Sequence, residues 1–175
     1  MSTYKLAEKS VVKLVSQVMT RFHGAMDDAG VTVDVLMAHA RRDKNGDPVG
    51  PALTLGGYAC VGKIKVIGLK DRAAGRADAE MILDGDRWLE FADEVQAAIV
   101  DHELTHLELC IGDSGLRTDD LGRPKLRLRR HDHQFGWFDE IVRRHGENSI
   151  EWEQYAQFTN VTYQQLWLPG MEAAR

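Results

Sequence analysis

The sequence predicts an α+β domain: a small, mostly antiparallel sheet packed on one central helix, with further helices on its flanks. Three patterns predict it. Val11, Leu14, Val15, Val18, Phe22 and Met26 recur at spacings of three and four, the period of an amphipathic helix. Val31, Val33, Val35 and Met37 alternate with other residues, the period of a strand. A second helical stretch, Asp93 to Cys110, is apolar around much of its circumference, which is the mark of a buried helix. A length of 175 residues with 43% hydrophobic composition suits one domain over residues 1–175 with enough apolar surface to bury a core.

In chain order, the first helix is predicted over about residues 4 to 28, with Gly30 as its stop. A strand follows from Val31, and Asp43-Lys44-Asn45-Gly46-Asp47-Pro48 then supplies turn formers for an exposed loop. Between Leu53 and Lys70, strand-like runs interrupted by Gly56, Gly57, Gly62 and Gly68 fit one or two strands, and Asp71 to Asp78 reads as polar connection. Ala79 to Asp84 forms a short strand ending at Gly85, just ahead of the central helix, and by analogy alone it is assigned to the edge of the sheet, open to an extended chain. Arg87 to Phe91 reads as a helical turn with Trp88 plugging the core. Asp93 is the expected N-cap of the central helix, with Gln96 as its capping-box partner. Glycine clusters bracket residues 112 to 124, and Lys125-Leu126-Arg127-Leu128-Arg129 alternates, so a hairpin is expected there. Phe135, Phe138, Ile141 and Val142 share one face of a later helix that Asp132 could cap and Gly146 could stop. A last helix from about Ile150 to Phe158 precedes an irregular tail through Pro169-Gly170, with the C-terminal helix and tail together covering about 150–175.

Composition narrows the function. A formal charge of −5 argues against general coating of nucleic acid, although Lys125, Arg127, Arg129 and Arg130 form a local basic run that could meet phosphates. Cys60 and Cys110 make no C-x-x-C pair, so neither a disulfide framework nor a cysteine-based zinc ribbon is indicated. The N-terminus lacks a signal-peptide pattern, and no stretch approaches the roughly 18 apolar residues of a membrane span.

The chemistry concentrates in His102-Glu103-Leu104-Thr105-His106, an H-E-x-x-H pattern. Residues four apart lie one above the other on a helix, so His102 and His106 can offer two imidazole nitrogens to one metal ion, with zinc the expected occupant. Glu103 is placed to take a proton from water there. A third ligand is needed, and His131, just ahead of the later helix, is the natural candidate. His133 and Asp132 have the same reach and stay open, and Glu140 is the nearby helical carboxylate for an alternative ligand set. Asp101, beside His102, is a candidate hydrogen-bond partner of the site. Transition-state charge could be met by His133 or by an arginine such as Arg129.

Beyond these residues, ADAEMILDGDRW, DHELTHLEL, DDLGRPKLRLRRHDHQFGWF and RRHG occur in order between about Arg72 and Glu151. In these segments the chain resembles the putative phage metallopeptidase family and, more distantly, SprT-like proteases, though the cysteine-rich ribbon of many of the latter is missing. The resemblance implies a minimal zincin-like fold, with His102, His106 and His131 as zinc ligands and Glu103 as catalytic acid/base. It also implies a protein or peptide substrate and, for a bacterial or phage protein without export or membrane signals, the cytoplasm. A non-catalytic, zinc-stapled module associated with protein or DNA is the alternative.

Overall fold

The computed structural model describes residues 2–131 and 138–156. The chain opens with strand β1 (Thr3–Leu6), where a helix is expected from the sequence, and only then enters helix α1 (Lys9–Phe22) and the short α2 (Gly24–Asp28). Thr3 and Tyr4 favour extended backbone, and pairing with the next strand satisfies their main-chain groups. The apolar stripe of α1 is nonetheless the expected one: Val11, Val15, Val18 and Met19 are buried.

β2 (Val33–His39) is followed by two small hairpins, β3 (Arg41–Arg42) with β4 (Pro48–Val49) and β5 (Thr54–Leu55) with β6 (Tyr58–Ala59). Next come β7 (Gly62–Val66), the short helix α3 (Leu69–Ala73) in the stretch expected to be irregular, and β8 (Ala79–Asp84). The sheet order is β1-β2-β8-β7, with two antiparallel pairings and one parallel pairing, β2 with β8. β8 is therefore central and buried along its whole length, and among the described residues the free edge beside the central helix belongs to β7. The run Ala79-Glu80-Met81-Ile82-Leu83-Asp84 reads as covered on both faces, which corrects its assignment as the edge.

Trp88 is buried in a single 3-10 turn, as expected. Helix α4 (Asp93–Thr105) has Ala92 at its N-cap; Gln96 instead donates its side-chain amide to the carbonyl oxygens of Trp88 and Phe91. The helix is shorter than the sequence suggests. It stops at His106, and β9 (Leu107–Leu109) pairs antiparallel with β12 (Leu126–Leu128). Between them lies the hairpin of β10 (Ile111–Gly112) and β11 (Gly115–Leu116). Ile111, apolar and at helical spacing from Leu107, is 66% exposed because the chain has already left the helix. Helix α5 (Asp139–His145) starts behind Phe138 and stops at Gly146, whose φ of +53° suits a residue without a β-carbon. Residues 152–156 are helical.

The core lies between the sheet and α1 plus α4, with Met81, Leu83, Ile99, Val100 and Leu104 at its centre. Among the described residues no helix is long and apolar enough to cross a membrane.

Candidate metal centre

Helix geometry and one tight strand pairing build this site. His102 lies in the last turn of α4, and His106 is the residue at which the helix ends. His106 is gripped from both sides of one residue of the neighbouring strand. The Arg129 backbone N–H donates to the His106 carbonyl at 2.7 Å, and His106 Nδ1 donates to the Arg129 carbonyl at 2.8 Å. That bond fixes the ring tautomer and leaves Nε2 as a lone pair. Burial, with the neighbouring cationic groups, pushes the His106 pKa down to about 4, so the ring is neutral near pH 7.

His102 is oriented by Glu151. Its Nδ1 is hydrogen-bonded to Glu151 Oε1, while Glu151 Oε2 accepts the Phe138 backbone N–H at 3.3 Å. Burial works against a charged His102 ring, but the Glu151 hydrogen bond and the nearby carboxylates outweigh it and raise the pKa. The opposite nitrogen, Nε2, lies 3.3 Å from Nε2 of His131. One ligand atom from each of His102, His106 and His131 falls within 4.8 Å of the others. Ligands about 2.0–2.1 Å from a tetrahedral ion stand about 3.3–3.4 Å apart. Three neutral-capable imidazoles at this spacing, two with their far nitrogens already bonded, are a donor set that fits zinc. Phe138, wholly buried, walls the group, its ring centroid 4.7–5.0 Å from those of the three histidines.

Glu103 is 4% exposed, and burial lifts its pKa to about 7. Its carboxylate lies against the backbone of the edge strand: a β-carbon on Gly62 would sit 2.7 Å from Glu103 Oε1 and 3.0 Å from its Cγ. Gly62 is what makes room for this carboxylate. The whole group opens into a cleft of about 940 Å³ lined also by residues of β7, of the β5–β6 hairpin and of Leu128 to His131.

The remaining candidates fall elsewhere. Asp101 makes no bond to His102; it is fully buried and receives His23 Nε2 at 2.7 Å, His145 Nε2 at 2.8 Å and Arg144 at 2.9 Å, tying α1 and α5 to α4. Burial would raise this carboxyl, but those bonds and the Arg144 charge hold it well below its usual value. The Arg129 guanidinium pairs with Glu140 at 2.8 Å and lies over the Phe138 ring. Glu140 also pairs with Arg144, on α5, and belongs to no histidine group. Asp132 and His133 lie outside the described residues. Glu151, Phe138 and Gly62 are contributors that the sequence pattern does not single out. Glu151 is a lone acid 49 positions from His102 with no motif around it, and the only signal at Gly62 is a glycine inside a strand run, which marks a close backbone approach.

The putative phage metallopeptidase family matches residues 6–160, nearly the whole chain and every residue of this centre. The chain belongs to that family. No curated protein and no solved structure matches it. Family membership and the histidine group agree on a metal-binding protein of the peptidase type.

Proposed function

We propose that this phage metallopeptidase family member is a zinc-dependent endopeptidase, with His102, His106 and His131 holding the metal and Glu103 as the catalytic acid/base. The observation that carries the reading is the convergence of three imidazoles and one buried carboxylate at the free edge of a sheet. Zinc held there supplies Lewis-acid chemistry, acidifying a water and polarising a peptide carbonyl. Glu103, with a pKa near 7, is matched to accept a proton from that water and return it to the leaving nitrogen. The edge of β7, unpaired among the described residues, offers main-chain donors and acceptors to an extended peptide, which then lies across the Glu103 carboxylate at Gly62. Phe138 keeps bulk water from the inner side of the histidines, where electrostatic interactions are strengthened.

The test pairs two variants of the full chain with a quenched-fluorescence peptide mixture and elemental metal analysis. Glu103→Gln is expected to keep about one zinc per chain and lose cleavage by at least about 100-fold, the usual weight of a general base. His131→Ala is expected to lose the metal. Cleavage at the native rate by Glu103→Gln sinks the mechanism. If Glu103→Gln changes nothing measurable while His106→Ala lowers the melting temperature, the metal is a structural staple instead.

A further inference from the structure

The chain as a whole is acidic, 27 Asp and Glu against 22 Lys and Arg, yet the cleft inverts that balance. Its lining carries Lys63, Arg87, Arg129 and Arg130 against Glu103 and Glu151. Both acids are occupied: Glu151 is bonded to His102, and Glu103 is buried beside Gly62. Arg129 is neutralised by Glu140, and Arg87 lies over the Phe91 ring. Two cations remain. Lys63 stands on the edge strand β7 and Arg130 follows β12, and among the described residues neither has an ion-pair partner. Their sequence neighbours do: Lys65 pairs with Glu80 at 2.6 Å, and Arg127 pairs with Glu108 at 2.8 Å. Both Lys63 and Arg130 line the cleft that the three histidines and Glu103 also line, Lys63 on the face of β7 that alternates with Gly62.

We propose that this cleft selects extended peptides that carry acidic side chains, Lys63 receiving one acid and Arg130 another. The inference rests on the peptidase reading above and adds the chemistry of the substrate to it. A peptide fits better than a nucleic acid. The open edge of β7 matches a peptide main chain. Three cations without a carboxylate partner among the described residues, Lys63, Arg87 and Arg130, in a molecule of net charge −5 provide little of the counterion release that drives polyanion binding. Charge complementarity at a cleft rim acts through selectivity and salt-sensitive capture, which gives the experiment its signature.

The probe is a pair of fluorescein-labelled decapeptides, one with Asp and Glu flanking a central apolar dipeptide, the other its Asn and Gln isostere. Binding to the zinc-loaded Glu103→Gln chain is read by anisotropy, and cleavage by the native chain is read separately. The acidic peptide is expected to bind about tenfold more tightly at low salt, with the difference collapsing near 0.5 M salt, where screening reaches only a few ångströms. Lys63→Gln/Arg130→Gln should erase the preference and Lys63→Glu/Arg130→Glu should invert it towards a Lys-flanked peptide, while Lys125→Glu, outside the cleft, leaves it unchanged. Equal binding of the two isosteres, or a preference that survives the double reversal, overturns the proposal. Competition by a twelve-residue oligothymidylate at matching affinity overturns it too, in favour of a general polyanion site. Selective binding without hydrolysis would sink the peptidase reading and leave the acidic selectivity standing. Hydrolysis without charge preference would do the reverse.

Discussion

At the scale of single residues, Glu151 does for His102 what the Arg129 carbonyl does for His106: it holds Nδ1 so that Nε2 faces the third histidine. A carboxylate in that position raises ligand basicity as well as aiming the ring, so its loss acts on metal affinity before it acts on fold. Glu151→Ala is expected to weaken zinc binding by about 10–100-fold in competition with a chromophoric chelator, and Glu151→Gln, which still offers an acceptor oxygen, by less. Unchanged affinity in both would remove Glu151 from the site. The pair of His102 and His106 was legible in the sequence because helical spacing alone stacks residues four apart. His131 was legible as one of several candidates. Glu151 was not, because its partner is 49 positions away and only the folded arrangement of α4, Phe138 and the 146–151 turn joins them.

Among the elements, α4 carries the most. It supplies two histidines and Glu103 on one side and the centre of the core on the other, with Leu104 fully buried between them. Leu104→Ala leaves a cavity in a layer closed by β8 and α1, and is expected to cost about 2–5 kcal/mol in urea unfolding. A shift below about 1 kcal/mol would mean that this layer is loosely packed. The existence and face of α4 followed from its apolar stripe, but its end did not. Thr105-His106-Leu107-Glu108-Leu109 continues the helical period while alternating well enough for a strand, and the pairing of Leu107–Leu109 with Leu126–Leu128 decides between them. Long-range pairing likewise turns residues 3–6 into a strand. The edge of the sheet was misplaced for the same reason: strand order is a property of the whole set of pairings, and β8 carries no local mark of being central except an unbroken buried run.

Across the whole molecule, the sheet and the 110–126 hairpin region are joined by an ionic clasp as well as by the packing of Leu126 on the core. Asp78, 1% exposed, is bonded to Arg72, receives the backbone N–H and hydroxyl of Thr32 at 2.8 Å each, and pairs with Arg123 at 2.7 Å. Arg72 reaches on to the Pro124 carbonyl at 3.0 Å and to Asp119 at 2.8 Å, the latter an ion pair without hydrogen-bond alignment. Pro124 leads directly into β12 and so to Arg129, His131 and the metal centre. Burial by itself would raise the Asp78 carboxyl, yet the Thr32 and arginine bonds prevail and hold it below its ordinary value of about 3.9. A carboxylate depressed in the folded state contributes stability that is fully present above its unfolded pKa and is lost as pH falls through the folded one. The difference in urea midpoint between the native chain and Asp78→Asn should therefore hold from pH 7 to about 5 and shrink below about pH 4, the other titrating groups being common to both. Asp78→Asn takes a charge partner from two guanidinium groups, one of them buried, and is expected to cost about 3–5 kcal/mol at pH 7 while making the acid limb shallower. Parallel acid limbs in the two proteins would show that Asp78 is not a group whose protonation opens the fold. The clasp would then serve only to fix where the hairpin sits. In that case zinc affinity should fall in Asp78→Asn, because the strand that places His131 would lose its anchor.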